Sequence, residues 1–186
     1  FSCITCEKTS GVATVKSVEI YTDGCCLGNP GRGGYGAILT YNDHRRELSE
    51  GYILTTNNRM EIMGCIIALE ALKEPCGVIL TTDSEYVVNA ITKGWAEKWQ
   101  QHGWRRSGNK PAENPDLWER LLWLTQKHRV QFQWVRGHNG HPENERCDQI
   151  AKEAASGTSL KEDSGYTKRL LDQPGQAVLP GILTAK

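Results

Sequence analysis

The order of its segments constrains this chain more than any single residue does. Three β-rich stretches come first, and helical and strand-like stretches then alternate. Residues 18–24 (VEIYTDG) are rich in β-formers and end in a turn signal, which predicts a strand. The glycine-dense stretch CCLGNPGRGG predicts a turn. Residues 35–41 and 45–54 predict two more strands, joined at Asn42 and Asp43 into an antiparallel meander. Arg45, Arg46, Glu47 and Glu50 give the third strand the charge of a guarded sheet edge. Over residues 58–72, Ile62, Ile66 and Leu69, with Met63 and Ile67, fall at helical spacing. Pro75 and Gly77 end that helix. Residues 78–82 predict a fourth strand and 84–93 a second helix. Asn114 and Pro115 open another helix, with Leu117, Trp118, Leu121 and Leu122 on one side. Val130, Phe132 and Trp134 alternate with glutamines as a fifth strand. Pro142 opens a last helix, whose buried stripe is Cys147, Ile150, Ala151 and Ala154.

Strands that alternate with helices pair in parallel through right-handed crossovers. The expected architecture is therefore α/β: a mixed five-stranded sheet, three antiparallel strands and then parallel βαβαβ, with helices on both faces. A length of 186 residues suits one core. Residues 18–166 carry the pattern and are expected to form the domain. Residues 1–17 read as a flexible N-terminal arm and 167–186 as a C-terminal tail. The start at Phe1 rather than Met suggests a trimmed or processed chain.

Charge and cysteine content narrow the function. With 22 basic and 22 acidic residues, the chain has no general attraction for polyanions or membranes, so any such binding needs a local patch. No apolar run is long enough to span a bilayer. Seven cysteines, an odd number with Cys25 and Cys26 adjacent, fit free thiols in a reducing, cytoplasmic setting. A lone Cys3-x-x-Cys6 with no second pair is a weak zinc or redox signal.

Asp23 ends the first strand and Asp83 the fourth, where ligands gather in open α/β sheets. Two carboxylates about 5 Å apart repel by roughly 3 kcal/mol at an effective dielectric of about 20. A cation such as Mg²⁺, which takes carboxylate oxygens, removes that cost. Each acid also has an ordinary reading. Asp83 can cap a helix before Ser84, and Glu61 can close a capping box with Asn58. Asp148 can pair with Lys152 at i,i+4, and Asp23 can serve a turn. The string from Gly31 to Gly36 matches G-x-G-x-x-G, but a β-rich segment follows it where a dinucleotide site needs a helix.

Four blocks, YTDGCCLGNPGRGGYGAIL, TTNNRMEIMGCIIALEAL, TTDSEYV and WVRGHNGHPENERCDQIA, together resemble the bacterial-type ribonuclease HI family in order and spacing. The resemblance covers residues 18–166. It implies a ribonuclease H-like fold and hydrolysis of the RNA strand of RNA/DNA hybrids, leaving 5′-phosphate and 3′-hydroxyl ends. It places the metal-binding acids on Asp23, Glu61, Asp83 and Asp148, and the family's loop histidine on His138. Two Mg²⁺ ions are implied, with Mn²⁺ as a substitute: one between Asp23 and Asp148, the other among Asp23, Glu61 and Asp83. His138 and His141, three apart in a glycine-rich loop, make a poor zinc pair beside this role.

The same resemblance assigns hybrid contacts to Cys26, Asn29, Thr56, Asn57 and Asn58. It assigns another to Glu85, where relatives usually carry an amide. Residues 93–110 hold Lys93, Lys98, Arg105, Arg106 and Lys110 against Glu97, a net charge of +4 (five minus one) in a neutral chain. They resemble the family's basic handle for the DNA strand, with Trp95, Trp99 and Trp104 as stacking residues or as its packing core. Gln100, Gln101 and His102 replace an often lysine-rich stretch, which predicts weaker hybrid affinity. A DNA-directed polynucleotidyl transferase and a catalytically silent hybrid-binding module are the competing readings. A monomer is expected.

Overall fold

The computed structural model describes residues 16–172. The first three strands are β1 (Ser17–Leu27), β2 (Gly31–Tyr41) and β3 (His44–Thr55). Helix α1 (Asn57–Glu70), strand β4 (Gly77–Thr82), and helices α2 (Glu85–Thr92) and α3 (Trp95–Gln101) follow. The chain continues through α4 (Pro115–Lys127), β5 (Arg129–Trp134), α5 (Pro142–Ser156), β6 (Leu160–Lys161) and α6 (Ser164–Leu171). The sheet order is β5-β4-β1-β2-β3-β6. Strands β1, β2 and β3 pair antiparallel, and β4 and β5 add to β1 in parallel, as the segment order predicts. The sheet has six strands rather than five. The sixth pairs Leu160 and Lys161 with Gly51 and Tyr52 of β3, and two residues leave no readable period.

Helices cover both faces, unequally. Helix α1 lies against the sheet with α4 beyond it, so nearly its whole circumference is buried. Ile20, Ala37, Leu39, Val78 and Leu80 of the strands join Ile62, Ile66, Leu121 and Trp118 in this main core. Helix α5 covers β1, β2 and β3 on the other face, where Ile38, Cys147 and Ile150 form a smaller cluster.

The glycine-dense stretch is mostly strand, not turn: only residues 28–30 separate β1 from β2. A Cβ on Gly34 would lie 2.6 Å from the Ala151 carbonyl oxygen, and one on Gly36 2.2 Å from that of Cys147. These glycines let α5 sit directly on the β2 backbone.

Two caps also differ from expectation. Thr56, not Asn58, occupies the N-cap of α1, and Ser84, not Asp83, caps α2 by accepting from the Val87 amide at 3.4 Å. Helix α6 runs to Leu171, past residue 166, and is anchored where Asp163 accepts from the Tyr166 amide at 3.1 Å. The Cys3–Cys6 motif, and most of the arm and tail expected at 1–17 and 167–186, lie outside the described residues. No described helix is long and apolar enough to cross a membrane.

Candidate active site

Parallel register brings the first two acids together. Thr22 of β1 pairs with Thr82 of β4, where the parallel pairing ends, so Asp83, just past β4, comes beside Asp23, which lies inside β1 and not at its end as predicted, because β1 runs on to Leu27 against β2. Close packing brings the third: a Cβ on Gly24 would fall 2.3 Å from the Glu61 backbone nitrogen, so only glycine lets β1 touch α1 here. Asp23, Glu61 and Asp83 each present a carboxylate oxygen, all within 4.8 Å of one another. The Gly24 amide donates to Asp23 Oδ1 at 2.7 Å, and Asn57 Nδ2 donates to Glu61 Oε1 at 3.2 Å. Glu61 Oε2 and Asp83 Oδ1 are buried with no hydrogen-bond partner. Trp134 Nε1 fixes the Asp83 backbone by donating to its carbonyl oxygen at 3.0 Å.

Electrostatics match the geometry. Burial, then the charges of Asp83 and Asp148, push the Asp23 carboxyl up to about 8. Burial and the charges of Asp23 and Asp83 raise Glu61 well above the ordinary range, and burial raises Asp83. Alone, this pocket retains protons. A divalent cation would accept the orphaned oxygens and cancel the repulsion, so the residues fit such an ion.

Asp148 reaches the pocket from α5, on the other face of the sheet. Its charge acts on both Asp23 and Asp83, but its carboxylate lies outside the three-oxygen cluster. Lys152 holds it at 2.7 Å, the i,i+4 pair that the sequence allows. His138 stands exposed in the β5–α5 loop with φ 52°, and its charge lowers Asp83. The neighbouring Gly137 is pressed on the pocket: a Cβ there would meet Asp83 Oδ2 at 2.3 Å. His141 instead caps α5, accepting from the Asn144 amide at 3.4 Å, which separates it in role from His138.

The remaining predicted residues form two surfaces. Beside the pocket, the Asn57 amide donates to Asn29 Oδ1 at 3.2 Å, tying the β1–β2 turn to the start of α1. Cys26 Sγ bonds the Gly28 carbonyl oxygen, and Thr56 and Asn58 flank Asn57. Glu85 is exposed in the first turn of α2. Farther off, Lys98, Arg105 and Arg106 line a depression of about 700 Å³ with Trp95, Trp99 and His102. Arg105 Nη1 donates to the Asn109 carbonyl oxygen at 3.0 Å and Arg106 Nε to that of Pro111 at 3.1 Å, shaping the loop. Trp99 packs edge-on against Trp118 at 6.0 Å, and Trp104 also leans on the main core. Their larger role here is packing. Trp95, exposed and crossed by Lys93 at 5.1 Å, is the one of these three tryptophans that presents an open aromatic face.

A mixed sheet with carboxylates gathered at its parallel strand ends places the molecule among α/β proteins built to concentrate negative charge in one pocket. Residues 15–156 match the RNase H family. Curated relatives include the Ribonuclease H of Syntrophus aciditrophicus, 61% identical over 151 residues, covering 81% of this chain and 87% of that protein. The Ribonuclease H of Desulforamulus reducens is 58% identical over 156 residues, covering 84% and 98%. Among solved structures, LC9-RNase H1, a type 1 RNase H with the type 2 active-site motif, superposes with TM-score 0.71 at 32% identity. That match covers 85% of this chain and 82% of LC9-RNase H1. The chain belongs to the RNase H family.

Proposed function

We propose that this protein hydrolyses the RNA strand of RNA/DNA hybrids with the help of divalent cations, Mg²⁺ or Mn²⁺, leaving 5′-phosphate and 3′-hydroxyl ends. The observation that carries this reading is the pocket of Asp23, Glu61 and Asp83 with two buried oxygens lacking partners. The curated relatives named Ribonuclease H support it. Asp23, Glu61 and Asp83 would hold one ion, and Asp23 with Asp148 the other. When bound, the ions supply Lewis-acid activation of water and stabilisation of the departing 3′ oxygen.

The chain's own residues do the rest. The Gly24 amide and the Asn57 amide group aim Asp23 and Glu61. His138, exposed beside Asp83, exchanges a proton with solvent or the leaving group. Cys26, Asn29, Asn57, Asn58 and Glu85 face the hybrid's minor groove, where the 2′-hydroxyl marks RNA, and Thr56 contacts a phosphate of the DNA strand. Lys98, Arg105 and Arg106 hold the DNA strand through phosphate contacts, and Trp99 and Trp104 support them. Residues 18–166 contain every proposed site residue. The described cysteines are free thiols, which suits a monomer working in the cytoplasm.

Cleavage is to be assayed on labelled RNA/DNA hybrid, duplex RNA, single-stranded RNA and duplex DNA, each with Mg²⁺ and with chelator. Cleavage of the hybrid's RNA strand alone, abolished by chelator and by Asp23→Asn, is the expected result. DNA cutting or joining indicates a polynucleotidyl transferase. Hybrid binding without cleavage indicates a silent module. His138→Ala is expected to slow turnover without abolishing it, by roughly 10²-fold.

A further inference from the structure

The pocket is lopsided. On the Glu61–Asp83 side, two buried carboxylate oxygens have no partner. On the Asp148 side an ammonium is already in place, with Lys152 Nζ 2.7 Å from Asp148 Oδ2. The side chain of Asp148 is 19% exposed and that of Lys152 54%, so the lysine reaches in from solvent towards a mostly covered acid. Both residues lie on α5 one turn apart, so the cation stays beside the acid.

We infer that Lys152 is the resident counter-cation of Asp148, holding that carboxylate between turnovers and weakening divalent-ion binding at the Asp23–Asp148 position. The inference rests on the proposed reading of the four carboxylates and adds an order to it. The Glu61–Asp83 position fills first, because its oxygens are unpartnered. The Asp148 position fills second, because an ion there must displace an ammonium and is repelled by it. The obstruction is graded. A pair this exposed contributes about 1 kcal/mol at most, a factor of about five in affinity, and the lysine stem is flexible enough to swing away. Arrival of a substrate phosphate adds negative charge and tips the exchange, so Lys152 couples occupancy of the second position to the presence of substrate. Lys152 is a positioning residue here; it need not touch the reacting atoms.

The test is Mn²⁺ binding to the full chain without nucleic acid, followed by the electron paramagnetic resonance of free Mn²⁺, for wild type, Lys152→Gln and Lys152→Arg. Glutamine keeps the helix and removes the charge; arginine keeps the charge. The expected result is one strong and one weak class of site in wild type. In Lys152→Gln the weak class should tighten about fivefold while the strong class holds, and Lys152→Arg should match wild type. The Mg²⁺ concentration for half-maximal cleavage should fall in parallel in Lys152→Gln. Identical binding curves for wild type and Lys152→Gln overturn the inference and leave the carboxylate reading standing. Absence of uptake by all three proteins overturns both.

Discussion

Helix α1 buries two charged side chains two positions apart and treats them in opposite ways. Arg59 is fully compensated. Its Nε and Nη2 donate to Asp163 at 2.6 and 2.8 Å, and Nη1 and Nη2 donate to Asp116 at 3.0 and 2.8 Å. Burial opposes the charge, yet the hydrogen bonds to Asp116 and Asp163 raise Arg59 beyond its ordinary value and hold Asp116 below its own. Asp163 also accepts from Thr55 Oγ1 at 2.7 Å, so one node joins β3, α1 and α6. Glu61, equally buried, has a single amide on one oxygen, nothing on the other, and two acids facing it. The first arrangement is complete within the chain and serves the fold. The second is incomplete within the chain, which is the mark of a site awaiting a ligand.

The comparison breaks first at Arg59. Arg59→Ala strands two carboxylates, one of them buried, and is expected to destabilise the fold by about 3–5 kcal/mol, read by urea denaturation. Loss of under about 1 kcal/mol would show that the network contributes little.

Next comes pH. A carboxyl that binds protons more tightly folded than unfolded stabilises the fold at low pH, and that contribution drains away as pH rises. With Asp23 moved from the ordinary value of 3.8 to about 8, the metal-free protein should lose stability between about pH 4 and 8. Asp23 alone accounts for a loss of a few kcal/mol, accumulating at no more than roughly 1.4 kcal/mol for each step of one in pH. Saturating Mg²⁺ should flatten the decline. Thermal melts in chelator that stay level over this range would contradict the raised proton affinity of the pocket.

A smaller effect sharpens the contrast on the same helix. Glu61→Gln replaces a carboxyl whose charge burial, Asp23 and Asp83 all disfavour, so in chelator at pH 8 it should raise stability by about 1–2 kcal/mol while eliminating cleavage. A loss of stability instead would place Glu61 with Arg59 as a structural charge. The smallest expected change is at the basic loop: neutralising Lys98, Arg105 and Arg106 should weaken hybrid binding and reduce its salt slope by up to about 3. An unchanged slope would remove that loop from the interface.

Much of this was legible in the sequence. The switch from consecutive strands to alternating helices and strands reflects hydrophobic period, and the observed sheet follows it. Asp23 and Asp83 were singled out by predicted places at strand ends, which holds for Asp83 just past β4 but not for Asp23, inside β1. Glu61 and Asp148 were not, because their spacing also fits a capping box and an i,i+4 pair; only the resemblance singled them out. The Lys152 pair is real, so both readings of Asp148 hold at once. Glycine density misled about the β1–β2 region, because glycine serves close approach of a helix as well as turns, and a single chain does not distinguish the two. Helix α3 was hidden by tryptophans packing on different sides, Trp99 inward and Trp95 outward. The Arg59–Asp163 pair was invisible because its partners lie 104 residues apart.

Calorimetric titration of Mn²⁺ or Mg²⁺ into the chelator-treated protein at pH 7, repeated in two buffers of different ionisation heat, bears most directly on the three-carboxylate pocket. Because Asp23 holds a proton until an ion replaces it, uptake should release on the order of one proton per protein, and Asp23→Asn should take up little or none. No uptake by the unmodified protein, or uptake with identical heats in both buffers, would contradict the account.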